Sequence, residues 1–349
     1  MGQPLKFNHR LRIDVLKSKQ NFPKLDAYLN KIAEKGFDVA HVPFTLLDDI
    51  LSNTTRVDLE TLAPLARHTL GGQPRLFQAI VDTMASGSHT ALDHIAADGG
   101  AHPMTRFEAM GWAVFLAHQA SFPDTGPPAT QVFQFWDHPE PPVEIQHGKA
   151  QWQRTAETHV WYDDTAAHDY IAQGFGETAA ANYAQLWHPA VKSDVFRLYR
   201  LAQDGGVYCD ADSDPGFRAA AFLRHAGGRV WASAMTNVPN CVTINGFIAA
   251  PPEHPLILGL LEYVLDNIAN AGARGIFWLS GPGAVTSFLY RNSGQYYVGL
   301  LPQGCLKTQI FKQFDAPYKH TDKNWRVYEH AAGLNNDAGL AAALAQNIK

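Results

Sequence analysis

Asp210 and Asp212 stand one residue apart in Val207-Tyr208-Cys209-Asp210-Ala211-Asp212. Side chains alternate along a strand, so Tyr208, Asp210 and Asp212 are expected on one side and Val207, Cys209 and Ala211 on the other. Two carboxylates at a strand end suit a hard divalent cation such as Mn2+ or Mg2+. Such ions take oxygen ligands and commonly bridge a few protein carboxylates to phosphates. An isolated Asp-x-Asp is common in exposed turns; the setting is what sets this one apart.

That setting runs from Lys192 to Pro215. On a helix Asp194 and Arg197 lie three residues apart and share a face. Gly205-Gly206 permits a sharp reversal into the short apolar strand that ends in Asp-x-Asp. When a glycosidic bond to a diphosphate breaks, negative charge builds on the leaving group, and a metal held against it stabilises that charge.

The elements that must position these residues fall into two regions. Through the first 120 residues the sequence predicts helix after helix. In Lys24–Phe37, Leu25, Tyr28, Leu29, Ile32 and Ala33 form one apolar stripe, and Gly36 offers a stop. Leu59, Leu62 and Ala66 form another stripe behind the candidate N-cap Asp58, with Pro64 inside it. A capping box, Thr105 to Glu108, opens a third segment reaching about Ala120. Three prolines and a glycine within Ser121–Thr130 then break the pattern, which places a domain boundary near 125. Beyond it strands are expected at 131–136, 158–162, 207–212, 229–235 and 243–250. Helices are expected at 164–187, 190–203, 255–271 and 283–291. This alternation argues for an α/β sheet of parallel strands.

Composition narrows the partners. Formal net charge is -5 and no long basic run occurs, which argues against nucleic acid. Three widely spaced cysteines indicate neither a disulfide framework nor a structural zinc site. The first ten residues lack the apolar run of a signal peptide and no stretch spans a membrane, so a cytoplasmic location is expected.

Ser193-Asp194-x-x-Arg197, followed by Gly205-Gly206-x-Tyr208-x-Asp210-x-Asp212, resembles the DXD-containing sugar transferases. These include fungal Golgi mannosyltransferases and bacterial capsule or lipopolysaccharide glycosyltransferases, with clostridial toxin glucosyltransferases as more distant relatives. The resemblance covers about 131–326. It implies a GT-A fold with a Rossmann-like nucleotide-binding sheet (residues 126–349), preceded by an all-helical accessory region (1–125). It further implies a retaining, metal-dependent transfer from a UDP- or GDP-sugar to a saccharide, lipid-linked or protein hydroxyl.

In that likeness Gln134 and Trp136 lie on the first strand, with Trp136 near the nucleotide base. Asp194 and Arg197 contact the donor's sugar or ribose, and Tyr208 lines the donor pocket. Asp210 reaches ribose and metal, and Asp212 is the direct metal ligand. Asn245, within Thr243–Pro255, faces the sugar. Ser280-Gly281-Pro282-Gly283 opens a helix near the acceptor side. His320 completes the metal shell and Trp325 donates its indole N–H to the diphosphate. Trp161-Tyr162-Asp163-Asp164 matches a segment read as structural. A nucleotide-sugar hydrolase and a non-catalytic sugar-binding protein are the alternatives on the same fold, and the helical region is a candidate contact to a partner or membrane surface.

Overall fold

The computed structural model describes residues 3–53, 57–69, 73–98, 100, 105–106, 108–109, 111–113, 116, 131–224, 226–235, 242–270, 275–292, 295–296, 298–303 and 306–331. The break at 121–130 lies outside them, as does much of the 105–120 segment. The chain divides into two compact units. One comprises Met1–Ala120, Ala234–Cys241 and Leu300–Cys305; the other comprises Ser121–Ser233, Val242–Gly299 and Leu306–Lys349.

The described part of Met1–Ala120 is mainly helical: α1 (Phe7–Ser18), α2 (Phe22–Ala33), α3 (Val42–Asn53), α4 (Gln73–Ser86) and α5 (Thr90–Ala97). The stripe expected on α2 is buried at Leu25, Leu29 and Ile32, as are Leu62, Leu65, Leu76, Phe77 and Ile80. Gly36 adopts a φ of 82°, a left-handed conformation that stops the chain after α2. The Asp58 segment is a 3-10 helix over Leu59–His68 rather than an α-helix, with Asp58 accepting from the Glu60 N–H. Pro64 within it has no N–H to donate to an α-helical ladder.

The second unit carries β1 (Val132–Phe135), α6 (Val143–Thr155), β2 (His159–Tyr162), α7 (Asp164–Phe175), α8 (Glu177–Ala184), α9 (Pro189–Asp204), β3 (Gly206–Cys209), β4 (Ser213–Pro215) and α10 (Ala219–Leu223). Then come β5 (Val230–Met235), β6 (Val242–Ala250), α11 (Pro255–Ala269), α12 (Ile276–Leu279), α13 (Pro282–Arg291) and β7 (Val298–Pro302), with the last residues of β5 and β7, from Ala234 and Leu300 on, counted in the first unit. After these lie β8 (Phe311–Gln313), a 3-10 turn at Pro317–His320 and α14 (Trp325–Ala331). The main sheet has the order β2-β1-β3-β6-β5-β7, and β4 pairs with β8 in a two-stranded ribbon. It is a mixed α/β sheet with helices packed on it, of the kind a GT-A fold uses.

Strand polarity is not uniform. β1 is parallel to β2 and β3, but β6 is antiparallel to β3, with Gly206 opposite Ala250 and Cys209 opposite Phe247. The expectation of parallel strands therefore holds for β1, β2 and β3 and fails where β6 meets β3. α9 is nearly all buried, from Val191 through Ala202, and packs against β1, β3, β6 and α11. It enters β3 through Gly205 (φ 64°) and Gly206 (φ 103°). A side chain at Gly205 would collide with the backbone of Pro251 and Pro252.

The helix expected at 164–187 is two helices, broken at Gly176 with φ 89°. α6 was not legible as a helix. Its buried positions are only Ile145, Gly148 and Trp152. Gly148 lets it approach the Ser213 carbonyl, to which the Trp152 indole donates at 3.1 Å.

Candidate active site

β3 ends at Cys209, before the first aspartate. Strand alternation therefore does not set Asp210 and Asp212 side by side; a turn does. The Ser213 hydroxyl donates to the Asp210 carbonyl at 2.6 Å, and the Gln134 amide donates to the same carbonyl at 3.1 Å. Asp210 N–H donates to Gly246 O on β6 at 2.9 Å, and Phe314 N–H donates to Asp212 O at 3.0 Å. Both carboxylates thus line one cleft of about 230 Å³. Its lining also includes Trp136, Asn245, Tyr318, Lys319, Lys323, Trp325 and Arg326.

The two carboxylates differ in access. The Asp210 side chain is 30% exposed, whereas that of Asp212 is 1% exposed. Oδ1 of Asp210 accepts from the Tyr208 hydroxyl at 2.9 Å and lies 3.6 Å from Arg197 Nη2. Burial raises the Asp210 pKa; Arg197 opposes this and neighbouring Asp212 adds to it. Asp212 is covered on every side: Lys319 Nζ lies 2.5 Å from Oδ2, the Tyr318 hydroxyl donates to Oδ2 at 3.0 Å, and the Gln313 amide reaches both oxygens at 3.3 Å.

Asp194 and Arg197 form the cleft's inner floor. Arg197 Nη2 lies 3.0 Å from Asp194 Oδ1, and Arg197 Nε donates to Ser193 O at 3.0 Å. Its Nη1 donates to the Asn245 carbonyl. Asp194 accepts from the Asn245 amide at 2.7 Å and from the Ser280 hydroxyl at 2.9 Å. Burial pushes the Asp194 pKa up to about 7, against the pull of Arg197 and these donors. This buried network ties α9, β6 and the turn before α13 together. Asn245 therefore turns its amide toward Asp194, at the cleft wall.

Other expected residues fall as follows. Trp136 lines the cleft and meets the Tyr318 ring edge-on at 5.1 Å between centroids. Trp325 lines it too, with the Arg326 guanidinium 4.7 Å from its ring centroid. Gln134 is fully buried and does not face the cleft; its amide links the Asp210 carbonyl to His159 Nε2, 2.9 Å from Gln134 Oε1. His320 stands apart from the aspartates. Its side chain is 73% exposed and lies 3.4 Å from Asp315. The chain brings the preceding Tyr318 and Lys319 to Asp212 instead, because the 3-10 turn points the end residue outward. Asp163 caps α7 through the Ala166 N–H and Asp164 binds Lys192 at 2.6 Å, so both are structural, as expected.

Gln313, Tyr318, Lys319, Lys323 and Arg326 were not expected in the cleft. Three basic residues within eight, beside Trp325, were the available signal for an anion site.

A divalent cation fits this donor set in part. Asp210 offers an open carboxylate and Asp212 an adjacent one, the few protein oxygens such an ion needs beside phosphate and water. No group of three or more His, Cys, Asp or Glu side chains converges among the described residues.

Residues 137–216 match the family model described as glycosyltransferase sugar-binding region containing DXD motif. The match spans Asp194, Arg197, Tyr208, Asp210 and Asp212, and stops short of Asn245 and Trp325. The chain thus carries a DXD-type glycosyltransferase region, and the resemblance read from the sequence is borne out. Among solved structures, PaToxG Glycosyltransferase is similar at 14% identity and a TM-score of 0.33, over 64% of this chain and 84% of that one. No curated protein sequence matches the chain. No helix among the described residues is long and apolar enough to cross a membrane.

Proposed function

We propose that residues 126–349 transfer a hexose or acetamidohexose from a UDP- or GDP-linked donor to a hydroxyl acceptor, with retention at the anomeric carbon. The observation that carries this reading is the cleft itself. The open Asp210 carboxylate and its neighbour Asp212, which Lys319 contacts directly, share one cleft with Lys323 and Arg326, and Trp136 and Trp325 line it too.

Mn2+ or Mg2+, held by Asp210 and Asp212, would supply charge neutralisation to the departing diphosphate. The chain's own cations in the cleft do the same. Lys323 and Arg326 lie where they can bind phosphate oxygens, as ammonium and guanidinium groups do. Trp136 offers an aromatic edge for the base. Asp194, Arg197 and Asn245 hold one another rigidly, which fixes the floor against which the sugar is oriented. The bond from the anomeric carbon to the diphosphate breaks as the bond to the acceptor oxygen forms on the same face. The acceptor's proton passes to the leaving diphosphate. No side chain is assigned as a covalent nucleophile.

Residues 1–125 are proposed as an accessory module that contacts the acceptor's carrier, a protein or a membrane-bound lipid. The catalytic reading is tested by screening UDP- and GDP-sugars with Mn2+, with and without chelator. Release of nucleoside diphosphate that stops on chelation supports it. Product analysis with and without added acceptor separates transfer from donor hydrolysis. Inactivity towards every donor, with no nucleotide bound, would sink it.

A further inference from the structure

Asp212 is the most fully enclosed carboxylate of the cleft, and its cover includes a cation. Lys319 Nζ lies 2.5 Å from Asp212 Oδ2 and donates to the Phe314 carbonyl at 2.5 Å. An ammonium group at this distance occupies the side of Asp212 that an incoming cation would use. Lys319 reaches it on a flexible four-carbon stem. Its side chain is 22% exposed, so the ammonium has a path into the cleft that Asp212 lacks.

The cleft's size points the same way. Sites for drug-sized ligands and cofactors commonly run to about 300–1,000 Å³, and this cleft holds about 230 Å³. Movement of a covering side chain would make room for a nucleoside diphosphate with its sugar. Lys319 is the cover whose departure both enlarges the cleft and frees a ligand oxygen. Leaving Asp212 buried without a cation would be costly, since removing one partner of a buried ion pair strands the other charge. The Lys-free state is therefore the minor one until another positive charge arrives.

We propose that Lys319 is an exchangeable resident cation: it neutralises Asp212 in the donor-free protein, then moves to the donor's diphosphate when a divalent metal takes its place. The idea rests on the transferase reading above for the identity of the anion, and on the Lys319–Asp212 pair for the competition. Metal and diphosphate would then be recruited together. Metal alone must displace Lys319, and diphosphate alone must draw it from an uncompensated Asp212.

The test compares wild type with Lys319→Met and Lys319→Arg in the full chain. Mn2+ alone is titrated by calorimetry and electron paramagnetic resonance. UDP and GDP are then titrated at saturating Mn2+. If the Lys-free state is about a tenth of the population, Lys319→Met binds Mn2+ alone about tenfold more tightly than wild type. The same variant binds nucleoside diphosphate about tenfold more weakly at saturating Mn2+, and Lys319→Arg restores that affinity. Lys319→Met also melts at a lower temperature without metal and regains the loss when Mn2+ is added. A purely structural lysine would lower the melting temperature without that recovery.

Unchanged or weaker Mn2+ binding by Lys319→Met overturns the competition. Unchanged nucleotide binding overturns the transfer to diphosphate. If wild type with Mn2+ binds neither UDP nor GDP, the transferase reading fails with the diphosphate half. The Mn2+ comparison still decides the other half.

Discussion

Each oxygen of the Asp-x-Asp pair has its own neighbour, and that makes the pair sensitive to changes that leave the carboxylates in place. A Cβ at Gly246 would lie 2.4 Å from Asp210 Oδ2. Gly246→Ala is expected to push that carboxylate out of position and lower turnover by about 100-fold, as sub-ångström misplacement commonly does. The melting temperature should stay within a few degrees, because the clash is with the end of a partly exposed side chain. Steady-state kinetics beside a thermal scan check both halves; a normal rate would show that Asp210 placement is not critical.

Asp212→Asn keeps the shape of the side chain and removes its charge. It should lower metal-dependent turnover by about 100-fold or more, and undiminished metal-dependent activity would reject the role given to Asp212.

A second residue acts through stability. Burial depresses the His159 pKa to about 4, and Lys149 adds repulsion. The unfolded chain protonates this ring near 6.5, so its contribution is fully present above that pH and is lost as pH falls from 6.5 towards 4. The contribution is on the order of 3 kcal/mol at most. Urea denaturation of His159→Gln across that range should show a flatter acid slope than wild type; equal slopes would assign the acid sensitivity elsewhere.

At the scale of elements, the glycine pair between α9 and β3 carries the geometry. Gly205 combines φ 64° with ψ -153°, a region that is essentially glycine's alone. A methyl there also meets Pro252 N at 2.5 Å. Gly205→Ala should destabilise the second unit by about 2–4 kcal/mol, read as a lower denaturation midpoint. This turn was legible because Gly-Gly between an amphipathic run and a short apolar run admits few conformations.

The helix α9 and most strands were legible for the same reason: their signals are local. The polarity of β6 was not, because Val242–Ala250 has the same composition whichever way it runs. Nor was Lys319. It meets Asp212 through the 3-10 turn after β8, and nothing in Tyr318-Lys319-His320 marks which member turns inward. The likeness favoured His320, while the turn delivers its two predecessors.

Over the whole molecule, the cleft is assembled from α9, the end of β3, the start of β6 and the segment after β8, all within the second unit. Nucleoside diphosphate with Mn2+ should therefore protect amides of 206–216, 242–250 and 311–326 from hydrogen exchange. Amides of 3–53 and 73–98 should exchange as before. Binding at 100 times the dissociation constant adds about 2.7 kcal/mol to the stability of whatever the ligand holds, enough to be seen as slowed exchange. Equal protection of the helical segments would mean that the ligand contacts or orders both units.

The reversed direction of β6 has an evolutionary corollary. Its first residues arrive beside Asp210, while its last residues leave beside Gly206 at the opposite margin of the sheet. Insertions at Pro251–His254 would emerge on the far margin, clear of the chemistry. Natural variation in loop length thus has an outlet there that leaves the Asp-x-Asp turn untouched.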